Sequence, residues 1–209
     1  TTDDLWTHRP QPTPLKTLFA RRGLGFGLTC DVDKFTSRNQ DIIRRECSMF
    51  TGENMVSLVR TQATEGVWTA NTQKAVYDFA VANSIGQRNA SHLIWHQTNP
   101  AWFDAITTAS ALRAKLNAHI PVVMNEMPLI AGWNVVNEVI RSEDGQSGGW
   151  RNTSMYQAFG ANWPSEWFKF ARTVAPAAEL CWTDFAAIER TDSNGFTDTK
   201  AALIWALND

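Results

Sequence analysis

Three pairs of neighbouring side chains have the chemistry needed to hold a polyhydroxylated ligand and to transfer a proton to it. The pairs are Glu53–Asn54, Trp95–His96 and Asn137–Glu138. Two of them place a carboxylate, which can act as a general acid or base, next to an amide that can hydrogen-bond a hydroxyl group. The third offers an indole, whose flat apolar face suits the ring of a sugar. A single glutamate of this kind is as often a helix cap or a solvated loop residue, so the prediction depends on all three pairs coming together.

The elements that must position these pairs follow from the hydrophobic pattern. The helix over 72–83 is the clearest, because Val76, Phe79 and Ala80 recur three and four residues apart. The pattern predicts strands at 24–30, 47–51, up to 95, 132–136 and 179–183, and helices at 15–22, 38–46, 72–83, 109–124, 164–174 and 199–207. Pro121 is expected to break or kink the fourth of these helices.

Strands that alternate with helices of this length are typical of β/α units on a parallel sheet. The sequence therefore predicts an α/β fold with about five parallel strands. Glu53 follows the second predicted strand, Trp95 ends the third and Glu138 follows the fourth. In a β/α barrel the carboxyl ends of all strands open onto the face that carries the catalytic groups, so these side chains would share one rim.

Composition excludes several classes of function. The chain has 209 residues, of which 44% are hydrophobic and 19% charged, as expected for one globular domain. Its formal charge of −2 comes from interspersed acids and bases, so no nucleic-acid partner is expected. No apolar run approaches the ~20 residues of a membrane span, so no transmembrane segment is expected either.

No metal site is expected from the histidines and cysteines. His92 and His96 are four residues apart, but they lie in a strand-like stretch rather than on the helix that a zinc motif of this spacing requires. Cys30, Cys47 and Cys181 form no C-x-x-C pair, and their odd number argues against a disulfide framework. We interpret the cysteines as small buried apolar residues.

The order of motifs along the chain resembles glycoside hydrolase family 10, the xylanase family. The similarity extends from Leu15 onward, and its most specific part is the run from Trp133 to Glu138, WNVVNE. The other matching motifs are LKTL at 15–18, GEN at 52–54, LIWH at 93–96, GGWRNTS at 148–154, the stretch 168–176 and LCWTDF at 180–185.

This resemblance implies part of a TIM-type (β/α)8 barrel that cleaves β-1,4-xylan with retention of configuration. By the resemblance, Glu138 is the acid/base catalyst and Asn137 contacts the sugar. Glu53 and Asn54 match sugar-binding positions on the glycone side, and Trp95 matches an aromatic residue of the cleft. No cofactor is implied. The barrel domain would cover 15–209 after an extended lead-in over 1–14, and a secreted or periplasmic location is expected because the family is usually exported.

Three departures from the family pattern lie within the matched part. The lysine and tryptophan that usually follow the Glu-Asn pair are replaced by Ser57 and Leu58. Ser91 stands where the family has a histidine, and His92 is one place off, which on a strand points it to the opposite face unless a bulge intervenes. Asn134 replaces an aspartate close to the acid/base position.

The family's nucleophile lies on strand seven, whereas this sequence stops after the fifth β/α unit. The sequence as written is therefore expected not to hydrolyse xylan, since retention needs a second carboxylate. Five strands would also leave two open edges, to be covered by a protein partner or by a further chain segment. Two hypotheses stay open. The first, favoured by the three departures, is a non-catalytic xylanase-like protein that binds xylan or another glycan or serves as a structural subunit. The second is an endo-1,4-β-xylanase whose strands six to eight lie outside this sequence.

Overall fold

The computed structural model of the chain describes residues 12–184. Most of the expected lead-in and the helix predicted at 199–207 lie outside these residues. The described strands are β1 (Gly27–Cys30), β2 (Met49–Gly52), β3 (Gln87–Ile94), β4 (Gly132–Asn137) and β5 (Glu179–Thr183). The α-helices in the same range are α1 (Leu15–Ala20), α2 (Ser37–Glu46), α3 (Leu58–Thr61), α4 (Asn71–Ala82), α5 (Ala101–Asp104), α6 (Ala109–Glu126), α7 (Ser154–Phe159) and α8 (Trp163–Val174).

The strands form one parallel sheet in the order β1-β2-β3-β4-β5. Each connection between neighbouring strands contains at least one helix, as parallel pairing requires. This confirms the predicted α/β fold and corresponds to the first five units of a (β/α)8 barrel. β1 starts at Gly27, three residues later than predicted.

The helices cover the sheet with the apolar faces that their periodicity predicts. In α6, Leu112, Leu116, Ile120 and Val123 are all buried. α6 continues past Pro121 to Glu126, so of the expected break or kink the break is absent. The short helices α3, α5 and α7, of four to six residues, were not predicted.

Burial differs between the middle and the edges of the sheet. All six residues of β4 are buried, whereas β1 buries only Cys30 and β5 buries none of its residues fully. Leu28 of β1 is 37% exposed, and Leu24 just before the strand is 59% exposed. The two outer strands of the described sheet therefore keep free edges. No helix in residues 12–184 has the length and apolarity to cross a membrane.

Candidate active site

Two β-bulges shape the rim where β3, β4 and β5 end. Between the pairs Ser91↔Asn134 and Ile94↔Val136, β3 advances three residues while β4 advances two. Between Asn134↔Cys181 and Val136↔Trp182, β4 advances two residues while β5 advances one. Each extra residue reverses the alternation of side chains, so residues three apart come to lie on the same face.

The bulge in β4 brings two asparagine side chains together. The amides of Asn134 and Asn137 contact each other at 3.2 Å, although a regular strand would direct them to opposite faces. Asn134 Nδ2 also donates to Ser91 Oγ at 3.1 Å. The asparagine that replaces an aspartate and the serine that replaces a histidine are thus bonded to each other across β3 and β4.

Asn137 connects the ends of three strands. Its amide lies 3.1 Å from Trp95 Nε1 and 3.0 Å from the Thr183 carbonyl oxygen. Both groups are satisfied when the amide oxygen accepts from the indole and the amide nitrogen donates to Thr183. Trp95 is half-buried at the end of β3, and the hydrogen bond to Asn137 fixes one edge of its ring. This contact places the side chains of Trp95 and Asn137 at the same rim.

Glu138 follows β4 with a φ of 52°, in the left-handed region that few residues other than glycine adopt. Its backbone N–H donates to the Thr183 carbonyl oxygen at 2.8 Å, and its own carbonyl oxygen accepts from Arg151 Nε at 2.7 Å. Arg151 Nη2 lies 3.8 Å from Glu138 Oε2. The side chain of Arg151 is 7% exposed and that of Glu138 is 22% exposed. A buried cation thus holds the backbone and faces the carboxylate of the predicted acid/base.

His96 borders an open cleft next to this pair. Burial lowers the pKa of His96, the positive charge of Arg151 lowers it further, and the Glu138 carboxylate opposes both effects. The cleft has a volume of about 380 Å³. It is lined mainly by polar side chains, among them His96, Gln97, Arg141, Asp144, Arg151 and Asn152. Its size and polarity suit one or two sugar units.

On the other side of the rim, Asn54 belongs to a charged cluster. Asn54 Nδ2 donates to Asp31 Oδ2 at 3.4 Å, and the same carboxylate pairs with Arg60 at 3.4 Å. Asp31 also accepts from the backbone N–H of Val32 at 2.7 Å. Glu53 is exposed after β2, and its backbone N–H donates to the Cys30 carbonyl oxygen at 3.3 Å.

The polar atoms of Ser57 and His92 contact other residues of the protein. Ser57 is 1% exposed, and its hydroxyl donates to the Asn54 carbonyl oxygen at 2.9 Å. His92 is 4% exposed, its Nε2 lies 3.0 Å from Thr98 Oγ1, and its ring contacts Trp95 edge-on at 4.5 Å. Burial lowers the pKa of His92 to about 4, so the ring is neutral at pH 7. The bulge in β3 therefore places His92 beside Trp95.

Two further charged residues of the rim, Arg151 and Asp184, were not predicted from the sequence. Arg151 lies in the spacer motif 148–154, but its distance of thirteen residues from Glu138 gives no sign of their contact. Asp184 accepts from the Ile140 backbone N–H at 3.0 Å and from Trp182 Nε1 at 3.3 Å, which ties the loop after β4 to the end of β5. Its position directly after a predicted strand is the signal that could have identified it.

Trp150 is 4% exposed, and its ring stacks on that of Trp182 with 6.3 Å between ring centroids, so it packs within the protein. The three cysteines differ in burial. Cys30 and Cys47 are buried as expected. Cys181 is exposed, so that expectation was wrong, because β5 forms an edge of the described sheet. Within residues 12–184 no group of three or more His, Cys, Asp and Glu side chains is arranged to hold a metal ion.

Known proteins share sequence with most of this chain. The sequence pattern of the family described as glycosyl hydrolase family 10 matches residues 14–206. The chain is 29% identical over 187 residues to endo-1,4-beta-xylanase 3 of Hypocrea jecorina, which covers 88% of the chain and 52% of that protein. It is 30% identical over 151 residues to endo-1,4-beta-xylanase B of Paenibacillus barcinonensis, covering 69% of the chain and 45% of that protein.

Solved structures share the fold. The crystal structure of xylanase 10B from Thermotoga petrophila RKU-1 in complex with xylobiose superimposes with a TM-score of 0.82 at 21% identity, over 96% of this chain and 61% of that one. Xylanase XynB from Paenibacillus barcinonensis gives a TM-score of 0.83 at 21% identity, over 96% and 60%. The chain thus spans about half the length of the two xylanases compared by sequence and about 60% of the two compared by structure.

Proposed function

Because this chain belongs to glycosyl hydrolase family 10, we propose that it binds β-1,4-linked xylan. The xylan would lie along the rim formed by the carboxyl ends of the strands. The observation that carries the proposal is the hydrogen bond from the Trp95 indole to the Asn137 amide, next to Glu138. An aromatic ring with a fixed edge, an amide and a partly exposed carboxylate then lie together at the ends of β3 and β4. A pyranose has an apolar face, which suits the aromatic ring, and hydroxyl groups around its ring, which suit the amide and the carboxylate.

The proposed roles follow the positions of the side chains. Trp95 offers its half-buried ring to a sugar face, and Asn137 and Glu138 bind hydroxyl groups beside it. On the glycone side, Glu53 and the Asn54 amide bind the next sugar. The names of the relatives support xylan as the polymer, since the compared proteins are called xylanases.

We propose binding without turnover as the function of these residues. The positions that differ from the family pattern are occupied by groups bonded within the protein: Ser57 to Asn54, and Ser91 to Asn134. Neither serine carries the positive charge of the lysine or the imidazole of the histidine that it replaces. A sugar bound at this rim would therefore meet fewer charged partners than the family pattern provides.

Retaining endo-1,4-β-xylanase activity is the second candidate. It is favoured by Glu138, whose carboxylate is 22% exposed and thus open to solvent beside Arg151. In this mechanism Glu138 protonates the leaving glycosidic oxygen, while a second carboxylate about 5–5.5 Å away attacks the anomeric carbon. Further barrel strands would have to supply that nucleophile.

Calorimetric titration of the chain with xylotriose tests the binding proposal. We expect saturable binding that Asn137→Ala weakens about tenfold, which corresponds to the loss of one or two hydrogen bonds in a desolvated site. Asn117→Ala, an exposed position on α6, is the matched control and should leave the affinity unchanged. Absence of any binding at millimolar xylotriose, or equal loss with both variants, would contradict the proposal.

A reducing-sugar assay on the same samples separates the two candidates. Binding without release of reducing sugar from xylan supports the non-catalytic function. Release that disappears in Glu138→Gln supports the enzyme.

We also propose that further barrel strands cover the free edges at β1 and β5 in the working molecule, either in the same polypeptide or in a partner protein. The exposed Leu24 and Leu28 support this, because apolar groups at an open strand edge favour association. Intact mass of the native protein distinguishes the two sources. A native mass of 23.4 kDa in a species that sediments as a monomer would contradict both.

A location outside the cytoplasm is a further proposal, supported by the usual export of the family. Fractionation of the native cells with an antibody against the chain tests it, and recovery in the cytoplasm alone would overturn it.

A further inference from the structure

A second cleft, of about 500 Å³, lies beyond the glycone side of the rim, between the turn after β1 and the start of α4. Its walls include Asp33, Arg60, Trp68, Asn71, Thr72 and Gln73. None of these residues belongs to the pairs Glu53–Asn54, Trp95–His96 and Asn137–Glu138. The cleft is therefore distinct from the sugar site proposed at the rim.

The charges of this cleft are already paired. Arg60 Nη2 lies 2.7 Å from Asp33 Oδ2 and 3.4 Å from Asp31 Oδ2. The hydrogen bond from Arg60 lowers the pKa of the Asp33 carboxyl below its ordinary value, so it stays ionised at pH 7. One cation between two carboxylates leaves a net negative charge, which disfavours a phosphate, a uronate or any other anion.

The groups that are free for a ligand are neutral. Asn71 and Thr72 are exposed, and their side chains make no hydrogen bond within residues 12–184. They occupy the first two positions of α4, where Ala70 supplies no side-chain cap for the helix. Amide and hydroxyl groups beside free backbone N–H groups suit a ligand that is rich in hydroxyls.

Trp68 adds an apolar surface to this set. Its ring is held by His119, which stacks on it with 5.2 Å between ring centroids and 24° between planes. His119 is 1% exposed and belongs to α6. His119 thus covers one face of the half-buried indole and holds it in place, while another part of the indole lines the cleft. An immobilised aromatic surface loses little entropy when a ring packs on it.

The cleft is connected to the proposed sugar site by direct contacts. Asp31 Oδ2 accepts hydrogen bonds from Asn54 Nδ2 and from Arg60 Nη2, each at 3.4 Å. Asn54 belongs to the glycone side of the rim, and Arg60 lines the cleft. A chain of sugars that passes Asn54 outward would therefore meet this cleft next.

We infer that the cleft at Trp68, Asn71 and Thr72 is an additional subsite for neutral sugar units of a longer β-1,4-linked chain, distal to Glu53 and Asn54 on the glycone side. The inference rests on the proposed binding of xylan at the rim. Asn71 and Thr72 bond the hydroxyl groups, and the part of the Trp68 indole that lines the cleft packs against a ring.

Titration with xylooligosaccharides of increasing length tests the subsite in the full 209-residue chain. We expect xylohexaose to bind about ten times more tightly than xylotriose. The double variant Asn71→Ala/Thr72→Ala should remove most of this gain, about three- to tenfold, and leave xylotriose affinity unchanged. Both residues are exposed and unbonded, so the variant keeps the fold, and Asn117→Ala is the matched control.

The outcomes separate this subsite from the rim. If xylotriose binds but xylohexaose gains nothing, or if the double variant retains the full gain, the subsite is refuted while the rim proposal stands. If neither oligosaccharide binds, the proposed function itself fails. Trp68→Phe gives an independent check, because it preserves a ring against His119 and should reduce only the xylohexaose affinity, about twofold to fivefold.

Discussion

Arg151 holds Glu138 from two directions: its Nε donates to the Glu138 carbonyl oxygen at 2.7 Å, and its Nη2 lies 3.8 Å from Glu138 Oε2. The first contact fixes a backbone whose φ is 52°. For a residue other than glycine this conformation costs about 1–3 kcal/mol, so surrounding contacts must impose it. The most specific sequence motif of the chain therefore ends on a strained residue, and a buried arginine stabilises it.

Replacement of Arg151 by Met should lower the free energy of unfolding by about 2–4 kcal/mol. The variant leaves the Glu138 carbonyl without its charged donor and the carboxylate without its nearest cation. Urea denaturation followed by tryptophan fluorescence measures the change. Arg141→Met is the matched control: Arg141 is 51% exposed and pairs with Asp144 three residues along, so its loss should cost less than about 0.5 kcal/mol. Equal effects of the two substitutions would show that Arg151 has no special role.

Replacement of Ser84 by Gly should stabilise the protein by about 0.5–1 kcal/mol. Ser84 follows α4 with a φ of 57°. Its N–H donates to the Val81 carbonyl oxygen, and the Ile85 N–H donates to that of Ala80, which is the pattern of a Schellman cap with the left-handed position at Ser84. Thermal unfolding should show a higher Tm for Ser84→Gly, whereas Ser84→Ala, which keeps a Cβ in the left-handed region, should gain nothing. A lower Tm for Ser84→Gly would contradict this assignment.

The sequence predicted the elements of this fold better than the details of its rim. The order of β/α units follows from apolar spacing, and Trp95, Asn137 and Glu138 do lie at strand ends. The contact of Asn134 with Asn137, however, depends on a bulge, and a bulge exists only in the pairing of one strand with its neighbour. No pattern within a single strand records it.

Arg151 illustrates a second limit of the sequence. Its partner Glu138 is thirteen residues away across a loop with two short 3₁₀ turns, and no periodicity links the two positions. Cys181 illustrates a third: composition predicts a buried thiol, but the strand that carries it lies at an edge of the described sheet. Burial of a residue type depends on whether its strand lies in the middle or at the edge of the sheet, and the local sequence does not determine that position.

His119 should make the stability of the protein depend on pH. Burial lowers its pKa to about 3, against about 6.5 in an unfolded chain, and neither ring nitrogen has a hydrogen-bond partner within residues 12–184. As the pH falls below about 6.5, the unfolded state binds the proton first. The stabilising contribution is therefore complete above pH 6.5 and decreases progressively towards pH 3.

The size of this effect can be isolated with His119→Phe, which keeps a ring against Trp68 but cannot ionise. Between pH 7 and pH 5 the wild type should lose about 2 kcal/mol more free energy of unfolding than the variant. Urea denaturation at both pH values gives the difference. Asn117→Ala on the same helix should retain the wild-type slope. Parallel slopes for wild type and His119→Phe would mean that the folded protein accepts the proton without cost.

Replacement of Gly52 by Ala should disturb the glycone side of the rim from below. Gly52 is the last residue of β2, directly before Glu53. A Cβ there would collide with the Tyr77 hydroxyl oxygen and would lie 2.8 Å from Met55 Sδ. Tyr77 is 1% exposed, and its hydroxyl donates to the Asn89 carbonyl oxygen at 2.9 Å, so it cannot move without breaking a buried hydrogen bond.

We therefore expect Gly52→Ala to destabilise the protein by about 1–3 kcal/mol, as overpacking of a filled core does. Gly86→Ala is the matched control, since a Cβ at Gly86 meets nothing within 4 Å and its φ is not positive. That substitution should be neutral or slightly stabilising, because alanine reduces the freedom of the unfolded chain. Denaturant titrations of the two variants settle the comparison. A Gly52→Ala protein as stable as Gly86→Ala would show that Tyr77 and Met55 yield easily, and that the position of Glu53 does not depend on close packing beneath it.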